Sequence, residues 1–144
     1  MIKATYYSDL NFLFVCCTGH IEFALLSAKI AEWIIEIGSR EGRLVFVDLR
    51  RLRTVDDLSS GSAEYVNMQK KLYETYPAAR RIAFLADRPE TFVMVRAFEQ
   101  LAQENFPSDM DVFRNSADAL SFLGLEGDDI DTFVERLTGG QTLA

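Results

Sequence analysis

The stretch Val45-Phe46-Val47-Asp48-Leu49, running on through Arg50-Arg51-Leu52-Arg53 to Asp56-Asp57-Leu58-Ser59-Ser60-Gly61, says most about how this 144-residue chain folds. Residues 43–49 are a short apolar run between Gly42 and Arg50, as expected of a central strand covered on both faces. The run closes on a carboxylate. In open α/β sheets, ligands bind beyond the carboxyl ends of the strands, which makes Asp48 a candidate site residue. A carboxylate at the end of an apolar strand also needs a partner, and Arg50, Arg51 and Arg53 are near in sequence. Beyond Leu49 the chain reads as a basic linker, a single turn over residues 55–58 and a helix restarting near Ser62. That helix carries Tyr65 or Val66, Gln69, Leu72 and Tyr76 along one side until Pro77 stops it.

Working outward, residues 2–7 read as an edge strand and Ser8-Asp9 as a turn into the apolar run 11–18, together a hairpin. After Thr18-Gly19-His20 the period changes. Phe23, Leu26, Ile30, Trp33 or Ile34, and Ile37 recur at helical spacing, so a helix is expected over 21–37, ended by Gly38. Gly38-Ser39-Arg40-Glu41-Gly42 is a helix-to-strand turn, not a phosphate loop, because it precedes a strand. Residues 81–86 form the next buried strand. Asp87 is placed to cap the helix after it, with Pro89 in its first turn and Glu90 reaching back. That helix runs to about Asn105. Residues 110–113 supply a further strand, Asn115 caps a helix to Leu123, and Ile130, Phe133, Val134 and Leu137 mark a last amphipathic helix before Gly139-Gly140. The order ββαβαβαβα plus a terminal helix predicts one α/β domain with a mixed, largely parallel sheet covered by helices. Residues 1–124 are its body and residues 125–144 its C-terminal amphipathic helix and tail.

Composition narrows the function. Hydrophobic content of 49% and charged content of 26% are those of an ordinary globular chain, which argues against general disorder. The formal charge of −7 opposes nucleic-acid binding, which needs a basic face. Its distribution is uneven: Lys plus Arg against Asp plus Glu number 2 and 4 in residues 1–39, 10 and 7 in 40–88, and 3 and 11 in 89–144. A basic middle and an acidic end suit charge-complementary docking of a partner or of a second copy of the chain. The apolar runs are too short to span a membrane and no leader pattern precedes them, so the expected location is cytoplasmic.

Dedicated chemistry is hard to assemble from these residues. Cys16 and Cys17 are adjacent in a strand, point to opposite faces, and have no second pair for a zinc ribbon or redox motif. They read as inert thiols. His20 is the sole histidine and reads as a polar residue in the turn entering the first helix. Neither G-x-x-x-x-G-K-[ST] nor G-x-G-x-x-G occurs. No cofactor, no metal and no enzymatic activity are therefore expected. Arg50, Arg51, Arg53, Lys70, Lys71, Arg80 and Arg81, with Tyr65, Tyr73 and Tyr76 among them, are expected to build a basic face, either solvated or used for protein contact.

Three stretches carry a family resemblance. Val47-Asp48-Leu49-Arg50-Arg51-Leu52 with Asp56 is similar to the strand and acidic turn of STAS domains, the anti-sigma-factor-antagonist family. Ala79 through Asp87 to Arg96-Ala97-Phe98-Glu99, and Val112 through Asn115 to Leu123, resemble the C-terminal half of SpoIIAA-like proteins, a fold grouped with the CRAL-TRIO (Sec14-like) domains. The resemblance covers about residues 2–124. It implies a SpoIIAA-like fold and a non-enzymatic regulatory or protein-interaction module. Where STAS antagonists carry Asp-Ser-Ser-Gly, this chain has Asp56-Asp57-Leu58-Ser59-Ser60-Gly61. The resemblance thus implies a partner surface of Asp48, Arg50, Arg51, Arg53, Asp56, Asp57, Ser59 and Ser60, with Ser59 or Ser60 as phosphoacceptor. The Sec14-like relation implies an alternative, a binder of a small apolar or lipid-like ligand.

Overall fold

The computed structural model describes residues 1–144 apart from the side chain of Ser59. Strand β1 (Ile2–Tyr7) passes through one 3-10 turn at Ser8–Leu10 into β2 (Phe12–Glu22). The chain continues as α1 (Phe23–Ile37), β3 (Leu44–Asp56), α2 (Leu58–Leu72), β4 (Arg81–Leu85) and α3 (Pro89–Asn105). It closes with β5 (Asp109–Phe113), α4 (Ser116–Phe122), α5 (Ile130–Glu135) and β6 (Gly140–Leu143). Among the described residues the strands form a single sheet in the order β5-β4-β3-β2-β1-β6. Strands β2 to β5 are parallel, while β1 lies antiparallel between β2 and β6.

The alternation of side chains along the strands builds a core on each face. Leu13, Val15 and Cys17 of β2 and Val45 and Leu49 of β3 pack with Trp33 of α1 and Val95 of α3. The residues between them, Phe12 and Phe46, face the other way with Ala83 and Leu85 and meet Leu120 and Leu123 of the α4 region and Ile130 of α5. Parallel strands laid down in sequential order, with right-handed crossovers, bring α1, α2 and α3 to one face and leave the other for α4 and α5. Full burial of a side chain such as Phe12 or Phe46 contributes about 1.5–3 kcal/mol to the core on that face.

Several boundaries differ from the sequence expectation, each for a tertiary reason. Thr18, Gly19 and His20 are strand, not a turn into the helix, because β2 runs on to Glu22 beside β3. Arg50, Arg51 and Arg53 are likewise strand, and the expected turn at 55–58 gives way to β3 ending at Asp56 and α2 starting at Leu58. Leu52 is buried and Val55 half-buried, so this extension has an inner apolar side. Asp87 is exposed and caps nothing: Arg88 is the N-cap of α3, without a side-chain cap. Asn115 does cap α4, accepting from the backbone N–H of Asp118 at 2.9 Å. Residues 140–143 pair with β1 as a sixth strand. A Cβ on Gly140 would stand 2.7 Å from the Tyr7 ring, so that pairing requires glycine.

Candidate functional site

Level with Cys17 and Asp48 the neighbouring strands stop: β1 begins with Ile2 opposite Cys17, and β4 ends with Leu85 opposite Asp48. Strands β2 and β3 continue alone, residues 18–22 against 51–56, as a two-stranded parallel ribbon. Its register shifts twice. Leu49 and Arg50 face Cys17 alone, and Arg53 has no counterpart between the pairs Gly19–Leu52 and His20–Thr54. Bulges of this kind bend a strand and re-aim its side chains. The inner side of the ribbon carries Ile21, Leu52 and Val55, while His20, Glu22, Arg51, Arg53, Thr54 and Asp56 are exposed. The His20 ring sits between the Thr54 hydroxyl, 2.5 Å from Nδ1, and the Asp56 carboxylate, 3.0 Å from Nε2. His20 and Asp56 are both more than half exposed, so water screens the pair and its contribution to stability is small.

Beneath the ribbon lies a buried anchor. Asp48 is 1% exposed and accepts a fork from Arg50, from Nε at 2.9 Å to Oδ1 and from Nη2 at 2.9 Å to Oδ2. The backbone N–H of Arg50 adds a third bond to Oδ1 at 3.1 Å. Nη2 of Arg50 also donates to Asp131 of α5, at 3.1 and 3.2 Å to its two oxygens, and Arg51 stands 3.6 Å from Asp48. Hydrogen bonding to Asp48 lifts the already high pKa of Arg50, with burial opposing and Asp131 adding. Cys16 pairs with Asp48 across the strands. Burial, then the nearby Asp48 charge, raises its thiol pKa, and burial pushes that of Cys17 up to about 12. Both shifts disfavour the thiolate, the nucleophilic form.

The turn into α2 is tightly specified. Asp57 adopts φ +60, a left-handed conformation that Asp tolerates better than most residues, and its carbonyl accepts from Gly61 N at 2.8 Å. Ser60 is exposed and its hydroxyl donates to the Asp57 carbonyl at 3.4 Å. A Cβ on Gly61 would lie 2.9 Å from the Phe23 ring, so glycine lets α2 pack against the start of α1. Ser59, the other expected phosphoacceptor, has its side chain outside the described residues.

Of the residues singled out from sequence, Arg51, Arg53, Asp56, Asp57 and Ser60 share this end of the sheet and are exposed. Asp48 and Arg50 lie below them and are committed to each other. The expected basic face divides. Arg81 pairs with Leu44 at the far end of the parallel strands, which leaves Arg53 on the order of 30 Å further along β3. Lys70 and Lys71 belong to that far end too, at the C-terminus of α2. Tyr65 is not part of any surface: it is buried against Phe23, Phe98 and Phe106. His20, Thr54 and Asp131 were not legible as site residues, because long-range pairing brings them in.

A second feature lies inside the molecule. Between the sheet and α1–α3 is a cavity of about 150 Å³, walled by apolar side chains that include Val15, Leu26, Ile30, Trp33, Val47 and Phe84. Arg43, immediately before β3, also lines it and is 3% exposed. Nη2 of Arg43 reaches the Pro77 carbonyl at 3.4 Å, and Nη1 has no partner among the described residues. An uncompensated buried charge costs about several kcal/mol. The only sequence signal for it was an arginine opening an apolar strand.

No protein-family model matches the chain, and no curated protein matches its sequence. Among solved structures it is similar to an uncharacterized protein of the DUF3478 family with a SpoIIAA-like fold, from Shewanella loihica PV-4. The two share a TM-score of 0.50 and 14% identity over 78% of this chain and 83% of that one. The fold of this protein is SpoIIAA-like, an α/β class with one mixed sheet between helices. At that identity the likeness speaks for the fold alone. Among the described residues no helix is long and apolar enough to cross a membrane.

Proposed function

We propose that this protein is a non-enzymatic, STAS-like regulatory or protein-interaction module whose partner surface is the β2/β3 ribbon and the turn into α2. The observation that carries this reading is the ribbon itself. It outruns its neighbours, is bulged at two places, and presents Arg51, Arg53, Asp56, Asp57 and Ser60 together. Asp48 holds Arg50 below that surface and braces the bulge through α5. Phosphate on Ser60 or Ser59 falls in the first turn of α2, where free N–H groups favour an anion, so modification changes the charge a partner meets without opposing the helix. The test is quantitative binding to partners captured by the wild-type protein, repeated with Arg51→Glu/Arg53→Glu and with Ser59→Asp/Ser60→Asp at unchanged melting temperature. Sedimentation of the same variants reports whether the partner is a second copy of the chain. Wild-type affinity in both folded variants removes the surface from the ribbon.

The cavity favours a second reading, a binder of a small apolar ligand. Close-packed interiors seldom leave a space of this size, and an apolar cavity of comparable volume accepts a benzene-sized molecule. Organic extraction of the purified protein followed by mass spectrometry tests it.

A further inference from the structure

The cavity combines an apolar wall with one charged group that nothing in the fold neutralises. Arg43 is buried, its Nη1 is unpartnered among the described residues, and no carboxylate among them lies within ion-pair distance of it. Its remaining contact, the Pro77 carbonyl at 3.4 Å, offsets little of the lost hydration. Burial draws its pKa down, with Tyr73 and Tyr6 opposing. A bound anion reverses that cost and satisfies Nη1 in one step.

We propose that the cavity binds a small apolar monocarboxylate, its carboxylate on Nη1 of Arg43 and its hydrocarbon or aromatic body among Val45, Trp33, Ile82 and their neighbours. The charge of the ligand follows from the single guanidinium: a monoanion neutralises it, whereas a phosphate dianion would leave a net charge in an apolar wall. Its size follows from the volume, about 150 Å³, which suits a ring or a short chain better than a long acyl tail. Tyr73 lines the same cavity, and burial pushes its hydroxyl up to about 12, so it stays a neutral O–H beside Arg43. This inference rests on the reading of the cavity as a ligand site and adds the ligand's chemistry.

The experiment uses the full chain, unfolded and refolded to strip any occupant, and titrated at neutral pH with hexanoate and benzoate and with the neutral hexanol and benzyl alcohol. Trp33 is the sole tryptophan and lines the cavity, so its fluorescence reports occupancy. Each carboxylate is expected to bind about tenfold or more tightly than its alcohol, the size of one charge-assisted hydrogen bond. Hexylamine should be rejected. In Arg43→Met the carboxylate advantage should vanish while the alcohols keep their affinity. Should that variant not fold, the comparison of acid, alcohol and amine on the wild type decides alone. Alcohols binding as well as acids would overturn the carboxylate assignment and leave the cavity reading standing. No binding by any of them would overturn both.

Discussion

Asp48 shows how one residue can be tied to a surface without belonging to it. Its carboxylate is buried and accepts three hydrogen bonds from Arg50, whereas Asp131, the other acid on that arginine, is about half exposed. Asp48→Asn should therefore cost about 3–5 kcal/mol in urea unfolding by leaving Arg50 poorly compensated. Asp131→Asn, at a screened site, should cost under about 1 kcal/mol. Equal losses would mean that the network is shared evenly. At Gly61 the tight approach to Phe23 should outweigh alanine's helix propensity, worth about 1 kcal/mol. Gly61→Ala is expected to lower the melting temperature, in line with overpacking costs of about 1–3 kcal/mol. Glu99 supplies a pH signature. Burial raises its pKa, with Arg96 opposing and Asp111 adding. The folded state then holds this proton more tightly than the unfolded chain, so the group's stabilising contribution is complete below the unfolded pKa and is lost as pH rises through the folded one. Melting curves between about pH 4 and pH 7 should show the wild type losing ground to Glu99→Gln as pH rises.

At the scale of elements, the two faces of the sheet are packed differently. Ile30 of α1 is half-buried with the cavity on one side, whereas Leu120 of α4 is fully buried in the opposite core. Ile30→Ala should cost near the lower end of the about 2–5 kcal/mol range and Leu120→Ala nearer the upper, since fewer contacts are lost beside an existing void. Chemical denaturation of both variants checks the order. The C-terminal segment is expected to belong to the same cooperative unit as residues 1–124. α5 places Phe133 edge-on against Phe12, and the indole N–H of Trp33 donates to the Ala144 carbonyl at 3.1 Å. A chain ending at 124 should lose its near-UV circular dichroism and expose apolar surface to dye, because it uncovers the part of one sheet face under α5 and the edge of β1. Retention of a native spectrum would make the segment an appendage. The elements themselves were largely legible: Val45, Phe46 and Val47 marked a strand, the Phe23 to Ile37 spacing a helix, Asn115 a cap. Their ends were less so. The extension of β3 to Asp56 depends on β2 lying alongside it, and no local signal separates Arg50 to Arg53 in a strand from the same residues in a linker.

For the whole molecule, stability should be graded along the strands. Residues 44–48 of β3 are paired on both sides, and residues 51–56 only with β2. Amide exchange is expected to be slowest in the central segment and distinctly faster in the ribbon. Uniform protection would show that the ribbon is as rigid as the sheet. The chain by itself determined the α/β class, the largely parallel pairing of the central strands and the burial of Cys17, though Cys16 is only half-buried, because hydrophobic period, turn residues and crossover handedness are local or nearly local constraints. Tertiary structure alone decided which charged residues meet. It selected Arg50 among the nearby arginines as the partner of Asp48, brought Asp131 to the same guanidinium, set His20 against Thr54 and Asp56, and parted Arg53 from Arg81, since strand register and bulges determine where each side chain points. The cavity was beyond sequence for the same reason: it is the space left when helices from distant parts of the chain settle on one face of the sheet. The unpaired charge of Arg43 has meaning only once those walls are in place.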